Sequence, residues 1–410
     1  MTRLDSKTHH WMREQAVTQL FEVLPEGSMR FVGGCVRNAL LGEPVSDIDL
    51  ATQLTPDEVT KYLDEAEIRY VPTGIDHGTL TVVIGGKPYE ITSLRKDVKT
   101  DGRRAVVSFT QDWAEDAQRR DLTINALYAG LDGEVFDPTG QGLEDLKSLK
   151  FRFVGEADMR VKEDYLRIIR FFRFLAWYGG GAKVDAAALK ACRENRRGLK
   201  QLSAERVWSE IKKLLSAPDP SRAVRIMLTN EVLETLLPEA SNSEGLDRLI
   251  SLEQRDGLEV DPLLRLMAMS AREPLQIALL CKRLKMSNKE TKRMRAWADS
   301  GAPLDPNADE RAKKIAIYGA GAQTSMDRAR LRAAGEEDVI ISARWMSLAA
   351  LAQHWTPPEF PLSGKDLHAA GVEKGPKMGK ILDALKALWI KSGFTADREK
   401  LLMALSLLNR

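Results

Sequence analysis

The runs in this chain that can form β-strands stop at about residue 150, and that asymmetry fixes the class of fold before any single motif is weighed. Met29 to Val32, Asp47 to Leu50, Leu80 to Ile84, Tyr89 to Ser93 and Ala105 to Phe109 all have the short, apolar and β-branched texture of strands. Between them Thr55-Pro56-Asp57-Glu58 opens a helix with a capping residue, a proline at the first position and an acid at the third. Asp112-Trp113-Ala114-Glu115 repeats the capping pattern. Past residue 150 long amphipathic stretches take over, at Asp158 to Trp177, Ala204 to Leu215 and from Pro262 onward. Breaks rich in Pro and Gly at Ser300 to Pro306 and at Pro357 to Gly364 are candidate linkers.

The predicted class is therefore α+β, a small mixed-sheet head followed by an all-α neck, body and tail. Residues 1–28 read as an N-terminal helical extension, 29–150 as the head, 151–220 as the neck, 221–300 as the body and 301–410 as the tail. A chain of 410 residues exceeds one ordinary core, and 43% hydrophobic with 29% charged residues fits a globular protein. The net charge of +2 hides clustering: Lys282 to Arg295 holds seven Lys or Arg against Glu290 alone. Such a cluster suits a polyanion partner or a solvated helix face. Cys35, Cys192 and Cys281 are too scattered for a disulfide framework or a metal cluster. No apolar run approaches the roughly 18 residues of a membrane span, and no signal-peptide core follows Met1, so no membrane partner and a cytoplasmic location are expected.

Chemistry concentrates in Phe31-Val32-Gly33-Gly34-Cys35-Val36-Arg37-Asn38, followed by Ser46-Asp47-Ile48-Asp49-Leu50. A strand ending at two glycines and turning straight into a helix lets backbone N–H groups approach an anion, aided by the positive end of the helix. Arg37, one turn in, is placed to reach the same phosphates. Asp47 and Asp49, two apart in a predicted strand, send both carboxylates to one face, where they repel unless a cation lies between them. Mg²⁺ accepts oxygen ligands supplied partly by substrate phosphate. An isolated Asp-x-Asp is more often a polar edge strand; a phosphate-binding turn ten residues upstream tips the balance.

These motifs resemble the polymerase-β-type nucleotidyltransferase superfamily, in particular its class II branch of bacterial CCA-adding enzymes and poly(A) polymerases. The family pattern Gly-Gly-x-Val-Arg-Asp-x-Leu-Leu-Gly with Asp-x-Asp is met from Gly33 to Asp49, with Asn38 in place of the usual Asp. Arg119-Arg120-Asp121-Leu122-Thr123-Ile124-Asn125-Ala126-Leu127 resembles a second signature, and Asp137-Pro138-Thr139-Gly140 with Gly142 and Asp145-Leu146 a third. Glu163-Asp164-Tyr165-Leu166-Arg167 through Arg170 and Arg173 resembles a fourth; Ser203-Ala204-Glu205-Arg206 with Glu210 and Lys213 a fifth.

The resemblance implies a nucleotidyltransferase head that adds CCA to a tRNA 3′ end from ATP and CTP with release of pyrophosphate. Poly(A) polymerase, or a CC-only or A-only enzyme on the same scaffold, is the alternative it leaves. It assigns catalysis and Mg²⁺ binding to Asp47 and Asp49, with Glu90 a third acid or merely an exposed edge carboxylate. Nucleotide binding falls to Gly33, Gly34, Arg37, Arg120, Asp164, Arg167, Arg170 and Arg173. Asp121 is expected to orient Arg120. Asp164 and Arg167, three apart on one helix, would read the Watson–Crick edges of C and A, while Arg170 and Arg173 would reach phosphates or form salt bridges within the neck. The charged segment from Arg95 to Arg104 matches a specificity-switching loop in the family, or an ordinary solvated loop. Thr73 to Thr79 matches a glycine-bearing turn near the site. The acceptor arm of tRNA would need basic surface, offered by Arg193 to Lys213, Lys282 to Arg295 and Lys365 to Lys391, the last with a helix starting at Pro376. A fused phosphohydrolase domain is excluded by its ligand need, since His9, His10, His77, His354 and His368 form no cluster.

Overall fold

The computed structural model describes residues 2–74, 78–101, 104–181, 183–299, 301 and 303–408. Ile75, Asp76 and His77 of the glycine-bearing turn, Gly102 and Arg103 of the charged segment, and Ser300 and Ala302 of the first linker lie outside the described residues. Two compact units divide the chain, Met1–Pro238 and Glu239–Arg410.

In the first unit α1 (Gln15–Val23) precedes β1 (Met29–Val32), which runs through Gly33 into α2 (Gly34–Leu41). The chain returns as β2 (Asp49–Thr52), followed by α3 (Pro56–Glu65), β3 (Tyr70–Gly74), β4 (Thr79–Ile84) and β5 (Lys87–Ser93). Helix α3 starts as its letters predict: Thr55 Oγ1 accepts from the Glu58 N–H, and the Glu58 carboxylate accepts from the Thr55 N–H in return. The charged segment after residue 94 is no plain loop. It forms β6 (Arg95–Asp101), paired antiparallel with β7 (Arg104–Phe109) as a separate two-stranded ribbon that satisfies its backbone groups. Then come α4 (Trp113–Gln118), β8 (Tyr128–Ala129), β9 (Val135–Phe136), α5 (Gly142–Lys147) and β10 (Lys150–Phe151).

Seven strands make one mixed sheet in the order β3-β4-β5-β2-β1-β8-β9. Its centre sets β2 antiparallel to β1 and parallel to β5. The predicted strand from Asp47 begins two residues late, at Asp49. On the β1 side the ladder closes at Phe31 with Leu50; β1 ends one residue later, at Val32, and runs into the glycine turn, so Asp47 lies beyond the end of that strand. Val32, Ala51, Leu94, Ala117, Ala126, Tyr128 and Val154 pack together as a buried cluster beside the acids.

The predicted helix from Asp158 to Trp177 is two helices, α6 (Ala157–Glu163) and α7 (Leu166–Tyr178). Asp164 between them is extended, with φ −151° and ψ 106°, and its carboxylate accepts from the Leu166 N–H at 3.1 Å to start the second helix. Gly198 keeps the break in place: a Cβ there would fall 2.3 Å from the Tyr165 ring, so only glycine admits the ring. Beyond lie β11 (Lys183–Val184), parallel to β10, and α8 (Ala186–Asn195), α9 (Ala204–Leu215), α10 (Ser221–Thr229) and α11 (Val232–Leu236). Helix α9 spans the residues its periodicity predicts.

The second unit, as described, is helical: α12 (Ser243–Asp256), α13 (Pro262–Met269), α14 (Pro274–Arg283), α15 (Asn288–Ala298), α16 (Glu310–Ala320), α17 (Ala322–Gly335), α18 (Val339–His354), α19 (Gly364–Ala369), α20 (Pro376–Lys391) and α21 (Arg398–Leu408). Helix α20 does begin at Pro376. Its Trp389 packs with Leu385, Leu401 and Leu405 in the core of the last helices. The basic cluster of α15 is partly spent inside the fold, since Arg293 pairs with Asp327 at 2.7 Å and also with Asp261. Lys282, Lys285, Lys289, Lys292 and Arg295 stay exposed. No helix among the described residues is long and apolar enough to cross a membrane.

Candidate active site

Gly33 joins β1 to α2 at φ +69°, a left-handed conformation that side chains resist, and its N–H is spent on the Leu127 carbonyl at 3.0 Å. The N–H groups of Gly34, Cys35 and Val36 then fall in the first turn of α2, where intrahelical acceptors are lacking. Buried Cys35 ties this turn to the acid strand, its Sγ 3.4 Å from the Val32 carbonyl and 3.7 Å from that of Asp49. Burial pushes the Cys35 thiol up to about 11, which leaves it an inert packing group.

Asp49 stands directly opposite Glu90 in the parallel β2–β5 register, so both side chains leave the same face of the sheet. Asp47 precedes the strand in the exposed loop, where Ser46 Oγ donates to it at 3.0 Å. Burial raises the Asp49 carboxyl above its ordinary value, and the negative charges of Glu90 and Asp47 add to the rise; Arg120 and Arg37 oppose it. A cation beside these acids would reverse the balance. Among the described residues no three His, Cys, Asp or Glu side chains converge as a ready-made cage, so an ion here would take much of its coordination from a ligand.

Arg120 supplies the counter-charge at the glycine turn. A Cβ on Gly33 would stand 3.5 Å from its Nη1, which places the guanidinium over the turn. The residue that orients it is Asp116 and not Asp121. Asp116 Oδ2 accepts from Arg120 Nη2 at 3.0 Å and from the Tyr128 hydroxyl at 2.6 Å, and Arg120 Nε lies 3.1 Å from the Tyr128 oxygen. Asp116 is fully buried; burial pushes its carboxyl up, but the charges of Arg120 and Arg119 and the Tyr128 hydrogen bond outweigh that and hold it at about 2. Its Oδ1 also accepts from the Arg95 N–H, at the root of the β6–β7 ribbon, at 3.3 Å. No local pattern marks this role, because Asp116 looks like an ordinary acid in the first turns of a helix and Tyr128 like a core aromatic.

Arg37 is turned inward. It is 7% exposed, donates to Asn125 Oδ1 at 2.5 Å, to Asn38 Oδ1 at 2.8 Å and to the Tyr178 hydroxyl at 2.8 Å, and stacks on the Tyr178 ring at 4.6 Å. It braces the turn from below and does not face outward to an anion.

The arginine row of α7 is paired throughout. Arg167, 6% exposed, donates to Asp121 at 2.9 Å, Glu163 at 2.5 Å and the Arg160 and Arg119 carbonyls at 2.9 and 3.0 Å. Asp121, the acid expected beside Arg120, instead joins Arg167 and Arg170, the latter at 2.5 Å. It sits too far along its turn to serve Arg120, which points back along α4 toward Asp116. Arg170 and Arg173 share buried Glu210 of α9, at 3.6 and 2.8 Å, which is the salt-bridge alternative for these two. Asp164 is held by Arg206 at 2.6 Å, and because of the helix break it does not continue the face of α7. The third motif braces the head: buried Asp145 accepts from Thr123 Oγ1 at 2.6 Å and from Arg152 Nε at 3.0 Å.

Comparison with known proteins covers nearly the whole chain. Residues 29–152 match the model of the poly A polymerase head domain, 181–243 a probable RNA and SrmB-binding site of polymerase A, and 263–405 a putative domain 2 of tRNA nucleotidyltransferase. The human protein named CCA tRNA nucleotidyltransferase 1, mitochondrial, is 35% identical over 403 residues, which span 95% of this chain and 88% of that one. A CCA-adding enzyme of Streptococcus pyogenes is 40% identical over 222 residues, 54% of each chain. In three dimensions the Bacillus stearothermophilus CCA-adding enzyme in complex with CTP superposes with a TM-score of 0.72 at 27% identity, over 97% of both chains.

Proposed function

Because this chain belongs to the family of CCA tRNA nucleotidyltransferases, we propose that it builds the CCA end of tRNA from CTP and ATP, releasing pyrophosphate at each addition. The observation that carries the reading is the register of Asp49 with Glu90 next to a glycine turn over which Arg120 is held. Repelling carboxylates are kept together here with an organised cation on one side only. A bound cation would relieve that imbalance, which is what makes the cluster a functional-site candidate.

The donor set is all carboxylate oxygen, which suits Mg²⁺, and Asp47 and Asp49 would hold it with Glu90 alongside. When bound, such an ion neutralises the triphosphate and activates the attacking 3′-hydroxyl for in-line displacement at the α-phosphorus. The chain's own groups do the rest. The first-turn N–H groups of α2 and the guanidinium of Arg120 receive phosphate oxygens, and Asp116 with Tyr128 fixes the direction in which Arg120 donates. Arg37 acts as the underside of that turn. Asp164 and Arg167 are the base-reading pair, each held by partners that fix its geometry before a nucleotide arrives: Arg206 for Asp164, Glu163 and Asp121 for Arg167. Arg170 and Arg173 support that pair through Asp121 and Glu210. The exposed lysines of α14 and α15 are surface for RNA phosphates.

The test is incorporation with Mg²⁺ on tRNAs that end before the first C, after CC, or complete, supplied with CTP, ATP or both. Growth that halts at CCA is expected. An open-ended A tail, or arrest after CC or after a single A, would replace this reading with the corresponding activity on the same scaffold.

A further inference from the structure

Asn38, where the family pattern has aspartate, uses both ends of its amide on different parts of the site. Its Oδ1 accepts from Arg37 Nε at 3.2 Å, from Arg37 Nη2 at 2.8 Å and from the Tyr178 hydroxyl at 3.1 Å. Its Nδ2 donates to the Pro44 carbonyl at 2.8 Å. The orientation of the amide is fixed by chemistry, since every group facing Oδ1 carries a hydrogen and the Pro44 carbonyl carries none. Pro44 belongs to the stretch 43–48 that leads from the end of α2 to Asp47, before any strand pairing begins. The Glu43 N–H also returns to the Asn38 carbonyl at 2.9 Å, so the start of that stretch hangs on this one residue.

We propose that Asn38 is a positioning residue that fastens the Asp47 loop to the Arg37 brace beneath the glycine turn, with Tyr178 completing the acceptor side. Its two functions need an acceptor and a donor in one short side chain. An ionised aspartate offers acceptors only: it keeps Arg37 and Tyr178 but loses Pro44, and sets a carboxylate against a carbonyl. In this chain the residue usual for the family is therefore the weaker one. Tyr178, at the end of α7, carries the coupling into the helix that bears Arg167 and Arg170, so the acid loop, the glycine turn and the arginine row share one hydrogen-bonded junction. The loop tether stands on geometry alone; its consequence for metal use rests on the function proposed above.

Hydrogen–deuterium exchange on the full chain, without metal or nucleotide, separates the two sides. In Asn38→Asp and Asn38→Ala, amides of residues 43–48 should exchange about 5-fold faster, the change expected for one lost hydrogen bond. In Tyr178→Phe they should keep the wild-type rate, because the Pro44 bond survives. With tRNA, CTP and ATP, Asn38→Asp should need about 5-fold more Mg²⁺ for half-maximal incorporation and approach the wild-type rate when saturated. Wild-type exchange at 43–48 in both Asn38 variants overturns the tether. Should Asn38→Asp not fold, Asn38→Ala alone decides it. Faster exchange with an unchanged Mg²⁺ demand overturns its link to the acids. A wild-type chain that extends no RNA refutes the proposed function, and the exchange result then still decides the tether.

Discussion

The acids of β2 and the arginines of α7 lie in one compact unit and treat charge in opposite ways. Asp49 stands beside Glu90 and near Asp47, raised by burial and by both neighbours, with Arg120 the nearest organised cation. Arg167 is buried too, at 6% exposed, yet two carboxylates and two carbonyls meet its guanidinium. One region stores an imbalance that a ligand can relieve; the other has settled its charges internally and offers shape. The difference teaches that clustered charged letters in a sequence mean two things, and that the partners decide which.

The largest effect that sharpens this contrast is on the acids. Asp47→Asn combined with Asp49→Asn should lower nucleotide incorporation by on the order of 10³-fold or more, since Glu90 alone would then remain to hold the cation. The thermal midpoint should stay equal or rise slightly, because repulsion with Glu90 is relieved. A folded double variant that extends RNA at the native rate breaks the comparison.

Next comes Arg167→Ala, where the order of effects reverses. Removing this guanidinium takes one of two cations from Asp121, which keeps Arg170, and one of two from Glu163, which keeps Arg160, a loss of about 2–3 kcal/mol. Urea unfolding should register it, and misincorporation of G or U should rise in whatever remains folded at low temperature. Wild-type stability with altered fidelity would make Arg167 a ligand-facing group; lowered stability with intact fidelity would remove it from base reading.

Those two regions also differ in how far the sequence exposed them. The glycine turn, the Asp-x-Asp and the cap of α3 are local patterns, with the physical cause within a few residues of the letters, and the structure places Gly33 and Thr55 as those letters predict. The break at Asp164 is not local: it needs Gly198, more than thirty residues on, to admit the Tyr165 ring. The partner of Arg120 is hidden for a similar reason. Asp121 is adjacent in sequence, but Asp116 is one helical turn back and meets the hydroxyl of Tyr128 on β8. Tyr178 gave no signal either, since its distance from Asn38 along the chain hides a contact that only folding creates. Half of the charged ribbon is legible, since β7 covers the predicted strand from Ala105 to Phe109, but β6 reads as a loop because its pairing follows from backbone register, which charge does not report.

The smallest expected effect concerns Asp116, which belongs to both regimes: buried and fully paired like the arginine row, yet aiming the cation of the acid site. Its carboxyl sits at about 2 in the fold against an ordinary 3.8, so its ionised form favours the folded state. That difference corresponds to roughly 2 kcal/mol. The sign follows from the depression: the contribution is complete above pH 3.8 and drains away as the pH falls toward 2. Asp116→Asn should therefore lower the urea midpoint of the full chain at neutral pH, and the gap to wild type should narrow steadily below pH 4. A gap that stays constant across that range would mean that the charge of Asp116 contributes nothing and that the loss comes from hydrogen-bond geometry or packing that asparagine does not reproduce. Activity then separates the two duties of the residue. If Asp116 aims Arg120, the variant should show a raised KM for nucleotide at pH 7.5 even where it is fully folded, and if it only braces the core, KM should not move.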